Sequence, residues 1–439
     1  MINSVRPAAD LPLLQQRPFR MLSYTRFFSR VAQNAINFGL ILLINGETGK
    51  AFLSSLLVLA LVIPSTVAGI VAGTAADVLP KRLLVFTGDV IRSAVCVYFV
   101  LNEGGIASYY ALAVLIATAT QFAASAETAI LPAIVDRSAY VRANAIGYAV
   151  GGAAQLVGLG LLAPVVLRVV NSPRTLFGIC GALFAIAAVQ AIFIGRTKAE
   201  RRQEIGGGEM SGRWWLAGWR AMKADRLVMR AAIELTLIST ALIIISGLIP
   251  KFIEDELGLP VDVGAVILTP AALGVVLGLR IAGFLAHRVP HGVLSTFGFL
   301  SFTVLLLMLA FVNKEADFLG GYGFFSWLNS VSIGRFDGGG VIAMIVVAPL
   351  GFSYALVNVA AHTVIDDRVP LHLRGRVGAT QAAMSALASS LPVLAAGALG
   401  DAIGVPPVIA IVAGAIGLVA LMNLRQPRES GISEPQYIG

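Results

Sequence analysis

The chain has 439 residues, of which 57% are hydrophobic and only 13% charged, and its mean hydropathy is +0.84. A soluble domain carries about a quarter of its residues as charges, so the soluble enzyme classes are excluded at the outset. The formal net charge of +8 has no basic folded domain behind it that would make a nucleic-acid surface.

Met1 to Arg17 is polar and Pro-bearing. It lacks the charged, apolar and small-residue succession of a cleavable signal, so no processing is expected. From there, apolar runs of about 20 residues recur along the chain, the length that crosses a bilayer as a helix. Twelve spans are predicted, at 20–44, 51–76, 83–101, 107–132, 142–166, 175–195, 229–250, 261–285, 292–312, 339–363, 375–399 and 404–423. Backbone groups in lipid must be satisfied within the segment, and strand-length alternation is absent, so these are helices. The expected organisation is a cytoplasmic tail 1–19, a six-helix bundle 20–195, a cytoplasmic linker 196–228, a second six-helix bundle 229–423 and a cytoplasmic tail 424–439.

Lys and Arg set the orientation. With both termini cytoplasmic, the inner loops carry Lys81, Arg82, Arg137, Arg142, Arg288, Arg368, Arg374 and Arg376, and the linker and tails are also rich in Arg. The outer loops hold only Lys50, Arg168, Arg174, Lys251, Lys314 and Arg335, which satisfies the positive-inside rule. Cys96 and Cys180 both fall within spans, where they read as packing residues. In the linker, "RWWLAGWRAMKADR" interleaves Trp with Arg and Lys. Trp215 and Trp219 share a helix face, which predicts a helix lying on the inner membrane surface. "FFSWLNSVSIGRF", before the tenth span, is a second surface candidate.

Two joints repeat. "GTAADVLPKR" (Gly73 to Arg82) and "GFLAHRVPHG" (Gly283 to Gly292) both follow an apolar run. Each opens with Gly, has a polar residue four positions later and a Pro seven positions later. Arg26/Arg30, four apart in span one, correspond to Arg230/Glu234, four apart in span seven, and "VDRSAYVRANAIG" after span four corresponds to "DDRVPLHLRGRVGA" after span ten. The chain therefore reads as a parallel duplication of six-span halves, an arrangement that belongs to transporters.

On these residues the chain resembles the major facilitator superfamily, over nearly all its length. That family's joint between spans two and three is matched by Gly73, Asp77, Lys81 and Arg82, with Val78 where a base is common; the degenerate second copy also fits. "FRMLSYTRFFSR" and "VPLHLRGRVGA" look like the corresponding runs of the drug-efflux and siderophore-exporter branches. The resemblance implies an all-α fold of twelve transmembrane helices in two pseudo-symmetric six-helix bundles. Two departures blur the export branches: Thr118, three residues before Gln121, stands where an Arg is common, and "GYAVGGAAQLVGLGLLAP" displaces the Pro of the antiporter pattern.

Functional candidates follow from charge and depth. Asp77 ends a helix, where its charge opposes the dipole and needs a cation. Gly73, Asp77, Lys81, Arg82, Asp89 and Arg92 are expected to form a charge latch at the inner face that releases when the bundles rock. Arg26, Arg30, Gln33 and Asn37 recur at helical spacing on one face, and Arg in hydrocarbon needs a partner or a wet cavity. With Gln121, Glu234, Asn358 and Gln381 they form the expected substrate cavity, across which Arg30 pairs with Glu234; the alternative is snorkelling, since Arg26 and Glu234 lie only a turn or two inside the inner face. Glu234, Glu127, Asp77 and His362 are the candidate proton carriers. Thr118, Ser125, Thr128, Ser385 and Ser389 read first as helix-packing hydroxyls.

The expected activity is secondary transport of a small amphipathic or lipophilic solute by alternating access, as proton-coupled efflux from a bacterial cytoplasmic membrane. A lipid or lysophospholipid translocator or uniporter on the same fold stays open, with a metal exporter and a non-transporting sensor behind it. No catalytic constellation, metal cluster or cofactor motif is read, and the expected state is a monomer in the bilayer.

Overall fold

The computed structural model describes residues 13–102, 105–135, 139–170, 172–194, 214–259, 264–285, 288–312 and 338–424. The linker ahead of Trp214, the segment "FFSWLNSVSIGRF" and most of both tails lie outside these residues, as does the Asp77 side chain.

Every regular element among the described residues is helical. Leu13–Gln15 forms a 3₁₀ turn, followed by α1 (Arg17–Thr48), α2 (Ala51–Val78), α3 (Lys81–Leu101), α4 (Ile106–Ile134), α5 (Tyr140–Gln155) and α6 (Pro173–Ile192). The second half contains α7 (Trp214–Ala224), α8 (Arg226–Asp255), α9 (Gly264–Leu285), α10 (His291–Ala310), α11 (Gly338–Arg368), α12 (Leu371–Ile403) and α13 (Val405–Leu424). Among the described residues ten helices are long and apolar enough to cross a membrane, and two shorter apolar helices, Ala149–Val165 and Pro270–Leu285, stand at the fifth and eighth expected spans. Large apolar side chains such as Leu101 (77% exposed), Val169 (76%) and Leu391 (77%) face outward, a surface that only lipid tolerates over so many helices.

The helix ends follow local chemistry. Gly49 takes φ 61° and its N–H bonds the Asn45 carbonyl at 2.7 Å, so the chain reverses at once into α2. Pro80, Pro290 and Pro370 stand immediately before α3, α10 and α12, with φ between −57° and −54°. Each carbonyl opens the following helix, as in Leu83 N–H to Pro80 O at 2.9 Å, Val293 N–H to Pro290 O at 2.9 Å and Leu373 N–H to Pro370 O at 2.8 Å. A Pro there fixes φ and gives up no ladder donor. The repeated joint is thus a recurring helix start.

These prolines also shorten the loops expected from sequence. Only Leu79–Pro80 separates α2 from α3, and only Val369–Pro370 separates α11 from α12. The span expected at 375–399 extends to Leu371–Ile403, which draws Arg374 from the expected loop into helix. Arg374 uses that position to donate to the Asp366 carbonyl and, at 3.0 Å, to the Val369 carbonyl, tying off the end of α11.

After α5 the chain runs through π-helical turns, Leu156–Leu162 and Val166–Val170, on either side of Ala163–Val165. Gly158 in this stretch lies so close to α1 that a Cβ there would overlap the Val31 carbonyl oxygen. The glycine-rich sequence serves a close helix approach here.

The chain divides into two compact units, residues 1–49 with 57–211 and residues 50–56 with 212–439. In the first, α1 packs on α4, α5 and α6, and α3 packs on α4 and α6. In the second, α8 packs on α11, α12 and α13, α10 packs on α11 and α13, and α9 lies along α11. Replacing α1, α3, α4, α5 and α6 by α8, α10, α11, α12 and α13 carries these five pairs of the first unit onto the corresponding five of the second, the structural form of the duplication. At the α9–α11 contact, Gly274 faces the Ala348 carbonyl and Gly351 faces the Ala271 carbonyl, with no room for a Cβ at either. Small residues set this distance because lipid offers apolar side chains no gain on burial.

α7 is helical, as the Trp spacing predicts, and it packs against α12 and α8. Gly218 sits against the Arg376 carbonyl and Thr380, Met222 is fully buried, and Lys223 lies 5.3 Å from the Trp219 ring centroid. Asp225 caps α8 through the Leu227 N–H at 2.8 Å and pairs with Arg368 at 3.0 Å.

Candidate functional site

The first unit holds a cluster of four charges among its apolar helices, three of them buried and Arg26 half-buried. α3 contributes Asp89 and Arg92, one turn apart and both essentially inaccessible. Arg92 Nη2 lies 2.5 Å from Asp89 Oδ1, and its Nε donates to the Gly88 carbonyl at 3.2 Å. The guanidinium stacks 4.6 Å from the centroid of Phe184 on α6. α1 contributes Arg26 and α4 contributes Glu127: Arg26 Nε meets Glu127 Oε2 at 3.3 Å, and Nη2 donates to the Glu127 carbonyl at 2.9 Å. Charges in a low-dielectric interior survive only when paired and hydrogen-bonded. Here two acids and two bases balance.

A polar chain leads from this cluster along α1. Arg92 Nη1 donates to Thr120 Oγ1 at 3.4 Å. The Thr120 hydroxyl lies 2.5 Å from Gln33 Oε1 and 2.6 Å from the Ile116 carbonyl, so one proton has two acceptors. Gln33 Nε2 in turn donates to Asn37 Oδ1 at 2.7 Å. Gln121, one residue past Thr120, lies against Gly69 of α2, where a Cβ would come within 3.1 Å of its amide nitrogen. Arg30 is exposed on its helix.

The second unit holds Glu234 in a different setting. Arg230 Nε lies 3.1 Å from Glu234 Oε1, one turn away on α8, and Ser295 of α10 donates to Oε2 at 2.6 Å. Gln381 donates to Ser385 at 2.8 Å, and Ser385 donates to Thr236 at 3.1 Å. Asn358 bonds the Tyr354 hydroxyl at 3.4 Å, and His362 is exposed.

The structure therefore brings together Arg26 with Glu127, Asp89 with Arg92, and Gln33 with Asn37. Of the residues expected in a latch, Asp89 and Arg92 lie inside the bundle, two to three turns into α3, while Lys81 is buried at its first turn and Arg82 is half-buried. A Cβ built at Gly73 meets no atom within 4 Å among the described residues. Sequence reasoning missed Thr120, Ser295 and the partnership of Asp89 with Arg92 inside a span. The last had a visible signal: an acid and a base at i, i+3 in an otherwise apolar run. It also missed Asp401, whose carboxylate accepts from the N–H groups of Ala51 (2.9 Å) and Phe52 (3.0 Å) and from Lys251 Nζ (2.6 Å).

The family model of the Major Facilitator Superfamily matches residues 22–391. The chain belongs to this superfamily. It is 27% identical over 403 residues to the multidrug efflux pump Tap of Mycobacterium tuberculosis and, equally, of Mycobacterium bovis, covering 88% of this chain and 87% of the pump. Among solved structures, the nucleoside transporter NupG superposes with a TM-score of 0.70 at 12% identity, covering 93% of this chain and 100% of NupG. A mutant of NupG gives 0.71 at 13%, covering 93% and 99%. At those identities the likeness is one of fold. This member of the superfamily is an integral, multi-pass membrane protein and a transporter.

Proposed function

We propose that this superfamily member exports a small amphipathic or lipophilic solute by alternating access, driven by protons moving inward, as a monomer with both termini in the cytoplasm of a bacterial cell. The observation that carries the reading is the charge cluster of the first unit. Asp89 and Glu127 are carboxylates set within membrane-spanning helices, each held by an arginine, and such groups are expensive in hydrocarbon unless they serve ions or substrates. The likeness to a multidrug efflux pump over most of both chains supports the export direction and a lipophilic substrate. The amides of Gln33, Asn37 and Gln121 offer hydrogen bonds without a fixed charge, a match for solutes with an apolar body and a few polar groups.

The test is transport in proteoliposomes with an imposed pH gradient, following internal pH and ethidium together, then repeating with a lysophospholipid. Ethidium accumulation against its gradient, with proton movement in the opposite sense, is the expected result. Lysophospholipid transfer without proton movement would instead make the protein a lipid translocator. Failure of both probes to move would refute the lipophilic substrate class.

A further inference from the structure

We propose that Asp89 is a proton-binding site of this transporter, with Arg92 as its counter-ion and the chain Thr120–Gln33–Asn37 as the route by which its charge state reaches the polar groups of α1. The inference deepens the antiport reading by naming the carrier.

The first argument is a comparison of the two halves of this chain. Pro80 and Pro290 start α3 and α10, an offset of 290 − 80 = 210. Gly88 and Gly298 keep that offset and the same role. A Cβ at Gly88 would crowd the Ala119 carbonyl and Ala123 of α4, and one at Gly298 would crowd the Ser353 carbonyl and Val357 of α11. With the same 210, Asp89 and Arg92 correspond to Phe299 and Phe302, which are 0% and 1% exposed. One scaffold position is thus filled by two phenylalanines in one half and by an ion pair in the other. The fold does not need charge there. Replacing a buried ion pair by apolar side chains is often neutral or stabilising, so an architectural role does not explain it.

The second argument is the state of the carboxylate. Oδ1 is engaged by Arg92, whereas Oδ2 is buried and lies outside full hydrogen-bond geometry from every donor among the described residues, with the Ser29 hydroxyl of α1 close enough to act on the carboxyl as a weak donor. A buried, unsatisfied acceptor costs about 1–3 kcal/mol, more when it is charged. A proton on Oδ2 converts that acceptor into a hydroxyl donor. The surroundings set the charge balance. Arg92 on its own helix, Glu127 of α4 and Ser29 of α1 face Asp89, while Arg92 is in turn faced by Cys96 of its own helix, Glu127 and Thr120 of α4, Arg30 of α1 and Phe184 of α6. When Asp89 takes up a proton, Arg92 keeps its charge and loses its counter-ion. Glu127 and Thr120 are the acceptors within its field, and a shift of Arg92 toward them redirects the Thr120 hydroxyl, which already has a choice between Gln33 and the Ile116 carbonyl. Proton release restores the Asp89–Arg92 pair. The proton enters and leaves unchanged, and no other co-reactant is involved.

The test is infrared difference titration of the protein in liposomes, read at the carboxylic-acid band, with ethidium transport measured on the same preparations. The wild type is expected to show a carboxylic-acid band whose intensity changes with pH. Asp89→Asn should abolish that band together with proton-driven ethidium accumulation, while ethidium exchange without a pH gradient persists. Asp89→Glu should restore a titrating band at a shifted position. The paired change Asp89→Leu with Arg92→Met, which imitates the apolar second half, should keep thermal stability at or above wild type while losing the band. A band that survives Asp89→Asn, a wild type without one, or a paired variant that fails to fold would each overturn the assignment. A band that vanishes in Asp89→Asn, in a wild type that moves no protons with ethidium, would leave the proton site standing and refute antiport of that solute.

Discussion

Neutralising Glu127 is the perturbation whose cost follows most directly from the geometry. Its side chain holds Arg26 Nε at 3.3 Å and its backbone carbonyl holds Nη2 at 2.9 Å. Glu127→Gln keeps the shape and the carbonyl bond and removes the charge. Breaking a fully buried pair from one side costs about 3–5 kcal/mol. Here the carboxylate is 6% exposed but the guanidinium 16%, one of its two bonds survives, and removing Glu127 relieves its repulsion of Asp89. We therefore expect a loss of about 2 kcal/mol, roughly a thirtyfold drop in the folding constant at 1.4 kcal/mol per decade. Arg26→Gln strands the more buried partner and should cost about 3 kcal/mol. The double variant removes both charges, so its cost should fall short of the sum of the singles by about 1.5 kcal/mol. Reversible unfolding in mixed micelles titrated with dodecyl sulfate, followed by helical circular dichroism, measures all four proteins. Additivity within about 0.5 kcal/mol would mean that the pair carries no coupling and that the electrostatic account of the cluster is wrong.

Four further outcomes are expected. Asp401→Ala removes the acceptor of the first two N–H groups of α2 and should cost about 1 kcal/mol; amide exchange at Ala51 and Phe52 should quicken about fivefold. Lys251→Met, which leaves that cap in place, should change exchange little, because the ion pair is partly exposed. Gly351→Leu drives a side chain into the Ala271 carbonyl, a backbone atom that cannot step aside, and should cost about 3 kcal/mol or prevent folding, seen as a lowered melting temperature or loss of monodisperse protein. Burial, and then the neighbouring charge of Asp255, hold the Glu256 carboxyl above its ordinary range at the end of α8. The folded state therefore binds this proton more tightly than the unfolded chain. Stability should decline as pH rises from the ordinary glutamate range through the raised value, and Glu256→Gln should flatten that decline in a pH series of melting temperatures.

Much of the fold was legible because a bilayer imposes its rules on local sequence. The length of each apolar run, the Pro before α3, α10 and α12, and the repeated Gly-to-Pro spacing are all properties of short segments. Helix ends were less legible. Arg374 is charged and looked like loop, yet a helix that begins at Leu371 uses it to cap its predecessor. The candidate site was read as a set of residue types and depths, but partners across helices were not readable. Glu127 stood out as an acid near a span's end; that it meets Arg26, 101 residues away, depends on how α1 packs on α4. Asp89 and Arg92 followed the basic joint so closely that they read as part of it, and only their burial separates them from it.

The sequence by itself determined that this chain is a bundle of membrane-crossing helices in two related halves, with charges placed where lipid penalises them. That is so because hydropathy, helix-starting prolines and repeat spacing act within one segment at a time. Tertiary structure decided which charges neutralise one another, which glycines touch a neighbouring backbone and which carboxylate oxygen is left without a full hydrogen bond. Those outcomes depend on distances of about 3 Å between residues far apart in the chain, where a single turn of helix rotation changes the partner.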